Sequence, residues 1–142
     1  MTDTPSDAVR SAIAGSFAAQ GLMQTLGARI AQIEAGRVTL ELPIAPHFSQ
    51  QHGFAHAGAT FALGDSASGY AALSMMPEGS EVLTAEMKIN LLAPAKGTRL
   101  IAVGEVLKPG RRLIVTRCMV RVEDAEGRMR DVAAMQGTMV PA

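Results

Sequence analysis

The chain has no tryptophan and, in 142 residues, only one cysteine, Cys118. A single thiol excludes an internal disulfide and fits a reducing compartment. Neither charge is in excess: 13 Lys and Arg balance 13 Asp and Glu, so no global field draws the chain to nucleic acid or an anionic membrane. Any anionic ligand must then be held by a local cluster. No apolar stretch reaches bilayer-spanning length, because Asp65 and abundant Gly, Ser and Ala dilute the best one. Residues 1–7 carry two acids and no basic residue, unlike a secretory leader. These absences predict a cytoplasmic protein with neither nucleic acid nor membrane as partner.

What is present is small and apolar. Hydrophobic residues make up 48% and charged residues 18%, a balance that suits a compact chain with some surface hidden in an oligomer. One domain of this length buries a core without disulfides or metals. Over residues 57–75 almost every side chain is small or apolar, enough for about five helical turns. Asp65 alone interrupts that run with a carboxylate. An ionised carboxylate in apolar surroundings costs several kcal/mol unless something compensates it. Asp65 therefore calls for a structural partner or a chemical task.

Ser6 or Thr4 caps a first helix reaching about Gln20, with Val9, Ile13 and Phe17 four apart on one face and Gly21 as its stop. Residues 26–34 and 37–42 alternate as two strands joined at Ala35-Gly36, with Val38, Leu40 and Leu42 on one face. A loop carrying Gln50 and His52 leads into the long helix, which Pro77-Glu78-Gly79 ends. Residues 82–92, 98–107, 111–123 and 129–140 read as four more strands. They are divided by Pro94-Ala95-Lys96-Gly97, Pro109-Gly110 and Glu126-Gly127, which predicts consecutive antiparallel pairs. The order is α-β-β-α-β-β-β-β, a single α+β domain over residues 1–142 with its core at about 36–140 and its N-terminal helix at about 6–20. A small-residue helix needs cover on most sides, which a curved antiparallel sheet supplies by wrapping it. Close sheet backbone then accounts for Gly58, Gly64 and Gly69, since glycine costs a helix roughly 1 kcal/mol.

The stretch Gln50-Gln51-His52-Gly53-Phe54-Ala55-His56-Ala57-Gly58 stands directly before the helix carrying Asp65. Downstream come Thr84-Ala85-Glu86-Met87-Lys88-Ile89-Asn90, Pro94-Ala95-Lys96-Gly97 and Gly110-Arg111-Arg112. Over roughly residues 36–140 this combination resembles the hotdog-fold acyl-CoA thioesterases, in particular their phenylacetate-degradation (PaaI-like) branch. That family shows an Asn, Gly three positions later, His-Gly-Gly, and an Asp in the following helix. Here Gln50 stands at the Asn position, Gly53 matches, His56-Ala57-Gly58 stands for His-Gly-Gly and Asp65 matches the acid. Gln50 is one methylene longer than Asn, and Ala57 adds a methyl group and excludes positive φ. Both departures bear on rate and substrate preference more than on reaction type.

The resemblance implies a hotdog fold and hydrolysis of an acyl- or arylacyl-CoA thioester, without metal or redox cofactor. Thioester hydrolysis needs a water or carboxylate nucleophile and donors aimed at the developing oxyanion. On that reading Asp65 is the general base or the nucleophile. The Ala57 N–H, in the first helical turn where free donors and the positive dipole end collect, is the oxyanion donor. Gln50 and His56 orient water or substrate, and Thr84 hydrogen-bonds the Asp65 carboxylate or the water. For the phosphates of CoA, Lys88, Lys96, Lys108, Arg111 and Arg112 fall where they would converge at a rim. Arg111 and Arg112, at consecutive strand positions, point to opposite sides. His52 and His56 straddle a loop–helix boundary with no third ligand at recognisable spacing, so no metal is expected. Two other readings stay open at this level: a hotdog protein that binds acyl-CoA or fatty acid without turnover, and an enoyl-CoA hydratase.

The spacing also predicts an assembly. His56 and Asp65 are nine positions apart, on opposite sides of one helix. Ala57 and Asp65 are eight apart, roughly 12 Å along the axis, too far to act on one carbonyl within a chain. A homo-oligomer with antiparallel helices, a dimer or a dimer of dimers, brings them together and shares each site between subunits; the resemblance implies the same. Cys118 lies on the apolar parity of its strand with no base beside it, and reads as structural.

Overall fold

A computed structural model describes residues 4–142. The chain runs α1 (Asp7–Ala19), α2 (Gly21–Leu26), β1 (Arg29–Glu34), β2 (Arg37–Pro43), a short 3-10 turn (Pro46–Phe48), α3 (Ala57–Leu73), β3 (Val82–Leu91), β4 (Arg99–Lys108), β5 (Ile114–Glu123) and β6 (Met129–Pro141). Ser6 caps α1, its hydroxyl accepting from the Val9 N–H. On β2, Val38, Leu40 and Leu42 are fully buried, and on β5 Ile114, Thr116, Cys118, Val120 and Val122 are buried in strict alternation. All these residues face α3, which packs against β2, β3, β4, β5 and β6. The result is a long helix lying in a six-stranded antiparallel sheet.

The sheet order is β1-β2-β4-β5-β6-β3, and it corrects the expectation of consecutive pairs. β3 does not pair with β4; it pairs with β6 at one edge, while β4 lies between β2 and β5. Pro94-Ala95-Lys96-Gly97 therefore belongs to a crossover, not a hairpin turn. Ala95 is buried on that path, and its carbonyl accepts from the Ala55 N–H. Gly and Pro punctuate a crossover as readily as a turn, so composition alone does not tell them apart.

Three smaller corrections follow from local geometry. Gly21 does not only stop a helix: it opens α2, which ends at Gly27 with φ 88°, so β1 starts at Arg29. β5 starts at Ile114, leaving Arg111 and Arg112 in an exposed bend where strand parity does not orient them. The glycine that close backbone requires is on the sheet. A Cβ at Gly104 of β4 would fall 2.6 Å from the Ser68 backbone nitrogen, whereas one at Gly69 would meet only Val82, at 4.0 Å. Gly58 faces its neighbour His56, and Gly64 faces the Met135 side chain.

Candidate active site

The segment before α3 is pinned at both ends. The His56 N–H donates to the Phe48 carbonyl at 2.9 Å, and the Ala55 N–H to the Ala95 carbonyl at 3.1 Å. Between them Gly53 adopts φ 84°, a left-handed conformation that favours glycine. The Gln50 side-chain oxygen accepts from the His52 and Phe54 N–H groups, so this amide oxygen holds the loop and its NH2 group remains free to donate. The extra methylene of glutamine is thereby accommodated by the loop itself.

His56 is the N-cap of α3, and its Nδ1 accepts from the Gly58 N–H at 2.8 Å. In the neutral ring this leaves the proton on Nε2. Ala57 is the first helical residue, so its N–H has no intrahelical acceptor. Gln50, His56 and Ala57 line one cleft of about 590 Å³, whose far wall includes Leu91, Leu92 and Pro94.

Asp65 lies two turns further along α3. It is half-buried, and the Thr84 hydroxyl donates to its Oδ1 at 2.7 Å across the gap to β3. Asp65 and Thr84 line a second cleft, of about 410 Å³, which shares no residue with the first. The structure thus gathers the sequence-derived residues into two groups. Gln50, His56 and Ala57 form one, and Asp65 and Thr84 the other.

The second cleft also holds residues that the sequence pattern did not single out. Ser16 and Gln20 reach it from the N-terminal helices, beside Ser66 and Tyr70 of α3. Nothing in the spacing of Ser16 or Gln20 marks them in the sequence.

The basic residues do not converge within one chain. Lys96 borders a cleft with Thr98 and Arg128, Lys88 lies on the outward face with Asn90 and Arg117, and Arg111 borders a groove with Met75 and Pro109. Arg112 is exposed beside Arg111. Among the described residues none of these four forms an ion pair, unlike Arg29, Arg99, Arg117 and Arg121. Cys118 is 1% exposed, and burial pushes its thiol up to about 12, which makes it inert.

Residues 52–127 match the thioesterase superfamily. A solved structure of a thioesterase family protein from Silicibacter pomeroyi is 44% identical, with a TM-score of 0.91 over 94% of this chain and 97% of that one. The 1,4-dihydroxy-2-naphthoyl-CoA hydrolase of Listeria monocytogenes is 25% identical over 91 residues, 64% of this chain and 74% of that protein. The E. coli PaaI protein from the phenylacetic acid degradation operon is 19% identical and has the same fold, with a TM-score of 0.84 over 98% of this chain and 96% of that one.

Proposed function

The chain belongs to the thioesterase superfamily, as a thioester hydrolase of hotdog fold, and from that premise we propose that it converts an acyl- or arylacyl-CoA thioester to the free acid and CoA. Asp65 acts as general base on the attacking water, or as the nucleophile itself. In the first route the carboxylate takes a proton as water adds to the thioester carbon, and the carbonyl oxygen becomes an oxyanion that the Ala57 N–H receives. Collapse of that adduct expels CoA thiolate, which takes up the proton. The free NH2 of Gln50 and the Nε2–H of His56 serve the substrate, and Thr84 orients Asp65.

The observation that carries this reading is the pairing of motif and geometry. An uncommitted N–H opens the helix, and a carboxylate held by a hydroxyl stands two turns along it. Their separation supports a site made by two copies of the chain, a dimer or dimer of dimers. One stripe of α3 (Phe61, Ala62, Asp65, Ser66 and Gly69) is only half-covered. Beside it the edge strand β3 exposes Leu83 and Leu91. A second, antiparallel α3 laid on that stripe would bring each Asp65 toward the other chain's Ala57. Lys96, next to the Ala95 that lines the Ala57 cleft, is then the cation a chain offers to its own CoA; Lys88, Arg111 and Arg112 would contribute from another copy. The proposed setting is the cytoplasm. No helix among the described residues is long and apolar enough to cross a membrane.

The test is thiol release from a panel of aliphatic and aromatic acyl-CoAs. Turnover of at least one ester supports the reading. Tight binding of every ester without thiol release would instead make the protein a carrier.

A further inference from the structure

The Thr84 hydroxyl stands between two acceptors. Its oxygen lies 2.7 Å from Asp65 Oδ1 and 3.3 Å from Met139 Sδ. A hydroxyl has one proton, so it serves one acceptor fully or both in part. While the carboxylate is charged it wins, because charge-assisted bonds are roughly twice as strong as neutral ones. A thioether accepts only weakly. At rest, Met139 is the second choice.

Register and packing make that second acceptor permanent. Thr84 of β3 and Met139 of β6 are direct cross-strand partners, and the ladder shifts register between Thr84 and Glu86. Thr84 therefore keeps the inward parity of Val82, while beyond the shift Met87 and Ile89 take over the core side. Met139 is fully buried, packed with Ala72 of α3 and Ile114 of β5, and it also lines the Asp65 cleft. Thr84 itself is exposed in the single chain, so water competes for its proton there. A thioester entering the cleft displaces such water. It does not displace a side chain packed in the core.

We propose that Met139 is a positioning residue, whose thioether accepts the Thr84 hydrogen bond as Asp65 loses its charge during the attack of water. This rests on the thioesterase reading, with Asp65 as general base. Once the carboxylate has taken the water's proton, its pull on the Thr84 hydroxyl falls to that of a neutral acceptor. The hydroxyl then turns toward Sδ. No proton leaves Thr84, and no covalent bond to sulfur forms. A hydroxyl deprived of its strong partner thus keeps a hydrogen bond, which lowers the cost of neutralising Asp65. Leucine at position 139 would offer no such acceptor.

The experiment is a double-mutant cycle in kcat and KM with Met139→Leu, Thr84→Val and the pair, on an acyl-CoA that the wild type hydrolyses. Leucine nearly conserves the volume and removes the acceptor. Met139→Leu should lower kcat about two- to fivefold with KM unchanged. In the Thr84→Val background, where no hydroxyl remains, it should change nothing further. A packing role would lower kcat by the same factor in both backgrounds. That result overturns the proposal, as does wild-type kcat in Met139→Leu. A second readout needs neither turnover nor a folded Met139→Leu protein: the NMR resonance of the Met139 methyl group in protein with isotope-labelled methionine. Asp65→Asn imitates the neutral acid, so it should move that resonance when Thr84 is present and leave it in place in the Thr84→Val background. Equal shifts in both backgrounds, or none in either, overturn the proposal. If no CoA ester is hydrolysed, the hydrolase reading fails by itself, and the resonance still decides whether Met139 accepts the Thr84 bond.

Discussion

Thr84 Oγ1 donates to Asp65 Oδ1 at 2.7 Å, a bond that ties the edge strand β3 to the middle of α3. The bond uses one lone pair of the carboxylate and restricts its rotation, leaving Oδ2 to meet a proton. Asp65→Asn keeps the volume and removes the base, so kcat should fall about 10²–10⁴-fold with the fold intact. Thr84→Val should lower kcat about tenfold through the lost charge-assisted bond, with Thr84→Ser close to wild type. Steady-state kinetics with circular dichroism as the fold control decides both. Full activity in Asp65→Asn would leave the residue a structural role only.

Ala57 should tolerate glycine and lose activity with proline. Proline is well accommodated at the first helical position, so α3 should still form, and only the N–H is removed. Mixing Ala57→Pro with Asp65→Asn chains then tests the shared site. With free subunit exchange half the dimers are mixed, each with one intact site, and recovered activity approaches about a quarter of wild type. Verified exchange with no recovery would put the whole site in one chain.

Two glycine substitutions should act in opposite ways. At Gly104 a methyl group would press into the Ala67–Ser68 backbone, and Gly104→Ala should cost about 1–3 kcal/mol or more in chemical denaturation. At Gly69 there is room within the chain, so Gly69→Ala should favour the isolated helix by about 1 kcal/mol while weakening association at the α3 stripe. Sedimentation of the Gly69→Ala protein at decreasing concentration reads the second effect.

Cys118 gives stability a pH dependence of known sign. The unfolded thiol ionises around its ordinary value of 9.0, and the buried one only at about 12. Between those limits the folded state binds more protons than the unfolded one, so stability falls as pH rises, by up to about 1.4 kcal/mol per unit from this group. Below pH 9 the contribution is fully present. Denaturation curves from pH 8 to 11 should show a steeper decline in wild type than in Cys118→Val; equal slopes would mean that the thiol is not buried in solution.

Affinity for CoA should weaken with salt, and Lys96→Ala should reduce that slope because a phosphate contact near solvent is screened. An Arg111→Ala, Arg112→Ala protein with an unchanged slope would remove those two residues from the CoA site.

The face of each strand was legible because parity is a local property: Val38, Leu40 and Leu42 alternate whatever their strand pairs with. Ser6 as a cap and the start of the long helix at Ala57 were legible for the same reason. The partner of β3 was not, since pairing with β6 is decided by how the sheet closes around α3, and Pro94 with Gly97 looks the same in a turn or a crossover. Arg111 and Arg112 precede the strand that local pattern extends to them, which starts only at Ile114, so strand parity does not set their direction. Ser16 and Gln20 were invisible because their partner Tyr70 lies some fifty positions away (|i−j| 54 and 50).

The crossover through Ala95 also leaves two strands in sequence, β4 and β5, between β3 and its sheet partner β6. β3 is synthesised before β4 and β5, yet its sheet partner β6 is the last strand to appear. Until then Leu83, Leu91 and Leu92 have no neighbouring strand, and the carboxylate of Asp65 waits for Thr84. Loop closure over two intervening strands is slow relative to local pairing, and unpaired strand edges invite association in the meantime. Docking of β3 onto β6 would then be the late step of folding, and the same step would assemble the Asp65 site, so a chain truncated before Met129 should accumulate as aggregate.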